Sequence, residues 1–124
     1  PFVLQHAGML TDTTPAAWAR WRENLAILAN EPNVYAKLSG FGTFIHRNDE
    51  GHIERLIRET VSVFGPRRCL WGSNFPIEKL WTDYASLIAA HRRGVGELDP
   101  GLGRDTEAAA RAIFHETASR VYRL

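Results

Sequence analysis

The chain has 124 residues, of which 44% are hydrophobic and 23% are charged, and its formal net charge at pH 7 is +1. This apolar content excludes an intrinsically disordered chain, and the near-zero charge argues against nucleic acid or a membrane surface as a partner, so we expect one domain, residues 1–124, that binds a small molecule. No apolar run reaches the ~20 residues of a membrane span, and the single cysteine, Cys69, favours a reducing compartment, which we take to be the cytoplasm.

The first predicted strand is the apolar run Phe2-Val3-Leu4, which ends at His6 and a turn that Gly8 allows. A helix is predicted to follow from Thr14-Pro15, because threonine before proline is a typical helix start. The apolar residues of this helix recur at three- and four-residue steps: Trp18, Trp21, Leu25 and Leu28.

The second predicted strand runs from Val34 to Leu38 and stops at Ser39-Gly40. After a polar loop, Asp49 or Glu50 is predicted to cap a second helix, which ends at Gly65-Pro66. One stripe of this helix is apolar: Ile53, Leu56, Ile57, Val61 and Phe64.

The third predicted strand begins at Cys69-Leu70-Trp71 and gives way to the polar pair Ser73-Asn74. A helix marked by Tyr84, Leu87, Ile88 and His91 and a glycine-containing loop from 94 to 104 are predicted next. Asp105 is then predicted to cap a closing helix that packs through one side: Ala110, Ile113, Phe114, Thr117 and Val121.

Strand, polar stop, loop and helix thus recur three times, which predicts an α/β fold with a parallel sheet covered by helices. Ligands of such sheets gather at the carboxyl ends of the strands, where His6, Lys37, Ser39 and Ser73-Asn74 fall. Three strands leave two open sheet edges, and the sequence begins at Pro1 inside an apolar segment. We therefore expect a portion of a larger sheet, such as an eight-stranded barrel, with low solubility when expressed alone.

Two residues on the first two strands are candidates for chemistry. His6 suits a metal ligand or a general acid and base, although a half-buried histidine bonded to the backbone would look the same in sequence. Lys37 suits a substrate carboxylate or a developing oxyanion, although a rim lysine with its ammonium group in water is the simpler interpretation.

The loop from 41 to 49 carries His46 and Arg47, and arginine can hold a carboxylate by two parallel hydrogen bonds. Most such surface pairs are simply solvated. Glu78 and Asp83 follow the third strand, but acids at these positions commonly serve helix ends, so neither is chosen as a site residue.

Ser73-Asn74 is the most specific position, because a polar side chain that leaves a buried strand is well placed to meet a ligand. A carboxylate at residue 74 would bind a metal or accept a proton from water, whereas a neutral amide only donates and accepts hydrogen bonds. Asn74 is therefore predicted to orient a ligand and not to act as a base.

Three motifs in order resemble the amidohydrolase-related family, the lactonase-like branch of the metal-dependent hydrolases, over nearly the whole chain. They are FVLQHAG (2–8), PNVYAKLSG (32–40) and FGPRRCLWGSNFP (64–76), and the ending TASRVYRL (117–124) resembles the closing helix of the family.

The resemblance implies strands six to eight of a (β/α)8 TIM barrel and hydrolysis of a lactone or related cyclic ester by attack of water on the carbonyl. It implies His6 and Asn74 as catalytic residues and a divalent metal, Zn²⁺ or Mn²⁺, with His6 as a candidate ligand. Asn74 departs from the family, whose members usually carry an aspartate there, which puts metal dependence in question. Lys37, His46, Arg47 and Ser73 are the predicted substrate contacts.

The same departure keeps two other functional interpretations open. One is a family member that binds a metabolite without catalysis, and the other is an inactive fragment. A flavodoxin-like nucleotide binder shares the strand-helix rhythm, but no glycine-rich phosphate loop joins a strand to a helix here. The sequence does not predict the substrate or the oligomeric state.

Overall fold

The structure is a computed structural model that describes residues 1–98 and 105–124. Three short strands form one sheet in the order β1-β2-β3: β1 is Phe2–Leu4, β2 is Val34–Leu38 and β3 is Cys69–Trp71. Both pairings are parallel, with Leu4 beside Ala36 and Lys37 beside Leu70. The predicted parallel sheet is confirmed, and its three carboxyl ends lie along one edge.

Helices connect and follow the strands. They are α1 (Pro15–Ala29), α2 (Glu50–Phe64), α3 (Tyr84–Gly96), α4 (Thr106–Arg111) and α5 (Thr117–Tyr122). Short 3-10 turns occupy Gln5–Gly8, Pro66–Arg68 and Ile77–Leu80, and a π-helical turn, Ala112–Glu116, joins α4 to α5. Among the residues described, no helix combines the length and the apolar character needed to cross a bilayer.

Side-chain caps set the starts of the helices. The Thr14 hydroxyl accepts from the Ala17 amide, and Pro15 fills the first helical position of α1. Asp49, and not Glu50, caps α2, through a hydrogen bond from the His52 amide at 3.0 Å. Asp105 caps α4 as predicted.

The hydrophobic core lies between one face of the sheet and the helices. Val34, Ala36 and Leu38 of β2 are buried and join the core, whereas Tyr35 and Lys37 between them are only half-buried. This alternation shows that the helices cover one face of the sheet, because successive side chains of a strand point to opposite faces.

The predicted loop from 94 to 104 is wrong at its start, because α3 continues through Gly96. A Cβ atom on Gly94 would lie 2.8 Å from Ile57 Cδ1 and 3.3 Å from the Glu54 Cα, so this glycine permits close packing of α3 on α2. Tyr84, the first residue of α3, is 49% exposed. Residues 99–104, the rest of the predicted loop, lie outside the described residues.

Candidate active site at the carboxyl ends of the strands

His6 begins the first polar corner of the sheet edge. Its Nδ1 atom lies 2.9 Å from the hydroxyl of the buried Ser39, which follows β2. His6 and Ala7 have φ angles of 53° and 47°, a left-handed conformation that costs energy in non-glycine residues. The buried Trp21 indole donates to the Ala7 carbonyl at 2.7 Å and so holds this backbone in place.

Gly40 completes this corner, which we call the β1 corner (His6, Ser39 and Gly40). A Cβ atom on Gly40 would lie 2.4 Å from His6 Nδ1, and the φ of Gly40 is +67°. Only glycine fits both the backbone conformation and the space beside the imidazole. With Nδ1 held by Ser39, Nε2 makes no hydrogen bond to any residue of 1–98 or 105–124.

Asn74 begins the second corner, after β3. Its φ is +56°, and its Nδ2 atom donates to Thr43 Oγ1 and to Glu78 Oε1, both at 3.1 Å. The Thr43 hydroxyl also donates to Glu78 Oε1, at 2.5 Å. The side chains of Thr43, Asn74 and Glu78 therefore form a closed network, the β3 corner.

Glu78, which the sequence pattern alone assigned to a helix end, belongs to this network. It is 1% exposed although it belongs to a short 3-10 turn near the surface. A buried carboxylate requires hydrogen-bond partners, and here Asn74 and Thr43 supply them. The four-residue spacing between Asn74 and Glu78 was the available signal, since one helical turn brings such residues together.

The segment after β2 joins the two corners. His6 contacts Ser39 and Gly40 at its start, and Asn74 contacts Thr43 near its end, while the Thr43 amide donates to the Gly40 carbonyl at 3.2 Å. Both predicted catalytic residues thus pack on one five-residue segment, 39–43. Their catalytic roles stay predictions.

Lys37 and Ser73 lie near these corners. The Lys37 side chain passes over Gly72, where a Cβ atom would lie 2.5 Å from its Cε, and its ammonium nitrogen is 6.0 Å from the centre of the Tyr122 ring. The Ser73 hydroxyl accepts from the Phe75 amide at 3.2 Å. Their substrate contacts stay predictions.

His46 and Arg47 project from the loop between β2 and α2. The His46 ring stacks on Trp81, with centroids 4.5 Å apart and planes 3° from parallel. Arg47 pairs with Asp49 at 3.3 Å in an exposed position. The hydrogen bond from the His52 amide, helped by Arg47, lowers the pKa of Asp49 below its usual range. This ion pair is too exposed to add much stability.

His91 of α3 lies in the core near Glu78. Its Nδ1 donates to the Leu87 carbonyl at 3.0 Å, and Phe41 stacks on its ring at 5.6 Å. Its Nε2 is buried without a hydrogen-bond partner among the described residues. Burial lowers the pKa of His91, although the Leu87 carbonyl and the charge of Glu78 act to raise it. His91 is therefore a neutral core histidine at pH 7.

The described side chains at this sheet edge offer few metal-binding atoms. No group of three or more His, Cys, Asp or Glu side chains that could hold a metal ion lies within 1–98 and 105–124. Of the residues proposed for the site, His6 offers a free imidazole nitrogen, and Asn74 is neutral with its amide nitrogen engaged. The residues described do not by themselves fit a metal centre, which needs several ligands.

Four cavities of about 230 to 490 Å³ lie elsewhere on the molecule. One, of about 380 Å³, lies between β1 and α1, with Leu4 and Trp21 in its wall. Another, of about 490 Å³, is bounded by α3 and α4, with Trp71 at its edge. None of these four cavities is lined by His6 or Asn74.

Comparison with known proteins identifies the class. Residues 1–124 match the amidohydrolase family, and the chain belongs to it. An L-fucono-1,5-lactonase of Burkholderia multivorans is 33% identical over 132 aligned residues, which cover 98% of this chain and 43% of that protein. An uncharacterised protein of Sinorhizobium fredii is 30% identical, with 98% of this chain and 38% of that protein covered.

A solved structure supports the fold. A zinc-bound amidohydrolase from Burkholderia multivorans superimposes with a TM-score of 0.84 at 32% identity, over 98% of this chain and 43% of the other. The chain thus spans about two-fifths of the length of the relatives it matches. Two of the relatives are named L-fucono-1,5-lactonases.

Proposed function

We propose that this chain supplies strands six to eight of a (β/α)8 barrel and that the complete barrel hydrolyses a lactone or a related cyclic ester of a small molecule. The similarity to an L-fucono-1,5-lactonase over 98% of the chain supports the substrate class. The one-sided covering of the sheet supports the barrel, because the face that carries Tyr35 and Lys37 is left for further strands to close.

The β1 corner carries this proposal. Ser39 and Gly40 hold the His6 imidazole, whose Nδ1 contacts the Ser39 hydroxyl. Nε2 lies on the other side of the ring and is free to polarise a carbonyl or to pass a proton to the leaving oxygen. Water attacks the carbonyl carbon while His6 Nε2 takes its proton, and the same proton passes to the ring oxygen as the C–O bond breaks, so that the product is a hydroxy acid.

The other site residues have supporting roles. Asn74 orients water or substrate by hydrogen bonding, since an amide cannot accept the proton of the attacking water. Lys37, His46, Arg47 and Ser73 are proposed to bind the polar groups of the substrate. No step is assigned to a metal, because the described donor set does not fit one.

The test is whether the complete protein hydrolyses L-fucono-1,5-lactone. The rate of acid release is measured and compared with the spontaneous rate. His6→Ala should lower kcat/KM by at least about 100-fold if His6 is the general acid or base. Glu23→Ala, a change on the exposed side of α1, is the control and should leave turnover unchanged. If Asn74→Asp and Asn74→Ala both left turnover unaffected, the role given to Asn74 would be wrong.

Asn74 also favours a second candidate, a family member that binds a metabolite without hydrolysing it, because the usual carboxylate is missing. Calorimetry separates the two. A lactone that binds with measurable heat, together with wild-type turnover equal to the spontaneous rate, would support binding alone.

A further inference from the structure

The hydrolysis proposed above assigns no role to the buried carboxylate of Glu78. Glu78 does not touch the open edge, because it is 1% exposed and Oε1 already accepts hydrogen bonds from Asn74 and Thr43. A Cβ atom on Gly42 would lie 2.7 Å from Oε2, so the backbone closes over the other oxygen. Glu78 therefore cannot act on a ligand directly.

The network determines how the Asn74 amide is turned. The Thr43 hydroxyl has one hydrogen and gives it to Glu78, so its oxygen can only accept from Asn74. A reversed amide would set the Asn74 oxygen against an acceptor carboxylate, which is unfavourable in a buried place. Nδ2 must therefore face Glu78, and Oδ1 points away from it.

We propose that Glu78 is a positioning residue that presents Asn74 Oδ1 to the ligand as a hydrogen-bond acceptor. This rests on the function proposed above. Asn74 is half-buried, and Oδ1 accepts no hydrogen bond from the residues described. The group that it meets must then be a hydrogen-bond donor, either the attacking water or a hydroxyl of the substrate, and not a carboxylate or an oxyanion.

The same contact explains why residue 74 is an amide. An aspartate there would place two carboxylates near 3.1 Å apart, the distance that now separates Nδ2 from Oε1. At a buried site like charges so close repel strongly. The negative charge of this corner is held at residue 78, one turn along the chain and out of reach of the ligand.

Hydrogen exchange of the Asn74 side-chain amide in the complete protein tests the orientation without any assay of activity. In the wild type Nδ2 donates to Thr43 Oγ1 and Glu78 Oε1, and its bonded hydrogen should exchange slowly. Glu78→Met removes the acceptor and should speed exchange at least about tenfold, the equivalent of one hydrogen bond. Glu78→Gln keeps an acceptor oxygen and should stay within about threefold of wild type.

Glu23→Met, an identical change on the exposed side of α1, is the control and should not alter the exchange. If Glu78→Met fails to fold, Thr43→Val replaces it, because that change removes one of the two acceptors of Nδ2 while Glu78 remains. Fast exchange in the wild type, or equal rates in wild type and Glu78→Met, would overturn the proposal.

Kinetics then distinguish the two sources of the donor. With a hydroxylated sugar 1,5-lactone, Glu78→Met should lower kcat/KM about tenfold, and Glu78→Gln should largely restore it. An equal loss in kcat with unsubstituted δ-valerolactone identifies the attacking water. A loss confined to the hydroxylated lactone, with a raised KM, identifies a substrate hydroxyl. No loss with either lactone would overturn the role of Oδ1.

The two measurements fail separately. If the wild-type protein does not turn over the lactone but its Asn74 amide exchanges slowly, the proposed hydrolysis is wrong and the role of Glu78 is retained. If the protein turns over the lactone but the amide exchanges freely, the hydrolysis is retained and the role of Glu78 is wrong.

Discussion

The two corners of the sheet edge fix their side chains by different means. In the β1 corner, His6 is held by a neutral hydroxyl and by the space that Gly40 leaves empty. In the β3 corner, Asn74 is held by a buried carboxylate that accepts from it and from Thr43. Packing thus fixes the position of the His6 side chain, and a charged hydrogen-bond acceptor fixes that of the Asn74 side chain. Both residues have a left-handed backbone conformation.

This difference determines which substitutions each corner tolerates. The β1 corner should be sensitive to added volume and indifferent to charge nearby. The β3 corner should tolerate one carboxylate and one amide at residues 74 and 78, in either order, but not two carboxylates. We call this condition charge matching. Each prediction below tests one of these properties in the complete protein.

The largest effect is expected from Gly40→Ala. A methyl group there overlaps the His6 ring and forces a left-handed alanine, so unfolding should become easier by about 3–5 kcal/mol in urea titrations, with loss of lactone turnover. Gly65→Ala is the control, because the φ of Gly65 is also positive, +75°, but nothing lies within 4 Å of the new Cβ. It should cost only about 1–3 kcal/mol.

The double variant His6→Ala with Gly40→Ala separates overlap from backbone conformation. Removal of the imidazole should restore most of the stability lost to overlap. If the double variant is no more stable than Gly40→Ala alone, the β1 corner is not set by packing on His6.

Charge matching in the β3 corner predicts the next effect. Asn74→Asp should destabilise the protein by about 2–3 kcal/mol at pH 8, because it sets two carboxylates together and removes a hydrogen bond to a charged group. Adding Glu78→Gln should recover most of this loss in thermal unfolding, since the new amide donates to the new carboxylate. Asn24→Asp on the exposed side of α1 is the matched control, and an equal cost there would contradict charge matching.

A smaller effect is expected from Trp21→Phe, which removes the donor to the Ala7 carbonyl behind His6. A buried carbonyl left unpaired should cost about 1–2 kcal/mol in urea unfolding. Trp18→Phe is the comparison, because Trp18 is equally buried and the ring change is the same. Similar losses for the two variants would show that volume, and not the hydrogen bond, holds the β1 corner.

The smallest effect is a pH dependence from His91, behind the β3 corner. Its pKa is lowered on folding by burial, so the unfolded chain binds the proton more readily. Stability should therefore be complete above the ordinary histidine pKa and should fall as the pH drops from about 6.5 toward the lowered pKa, with a slope of at most about 1.4 kcal/mol per pH unit.

His91→Leu should flatten this acid limb in thermal unfolding measured from pH 7 to 5. His52, whose pKa burial also lowers, contributes in the same direction and leaves a residual slope. His115→Leu, a change at an exposed position, should leave the limb unchanged. An identical slope in His91→Leu and the wild type would exclude His91 as its source.

Much of the fold follows from local sequence. The strand bounds, the Thr14 and Asp105 caps and the parallel order depend on apolar period, proline and short polar side chains, which act within a few residues of one another. His6 and Asn74 were chosen as candidates because they are polar residues just after short apolar strands. The extent of α3 was misjudged, since Gly94 resembles a loop residue until its contact with α2 is known.

The sequence by itself determined the three strands and the polar residues at their carboxyl ends, because period and chain direction fix both. Only the tertiary structure decided that Gly40 makes room for His6, that Glu78 is buried and that the Asn74 amide is turned by it. Each of these depends on side chains that meet across the fold or within an irregular turn. The local sequence pattern indicates whether a residue is usually exposed to solvent. It does not indicate which distant residue that side chain contacts in the folded chain.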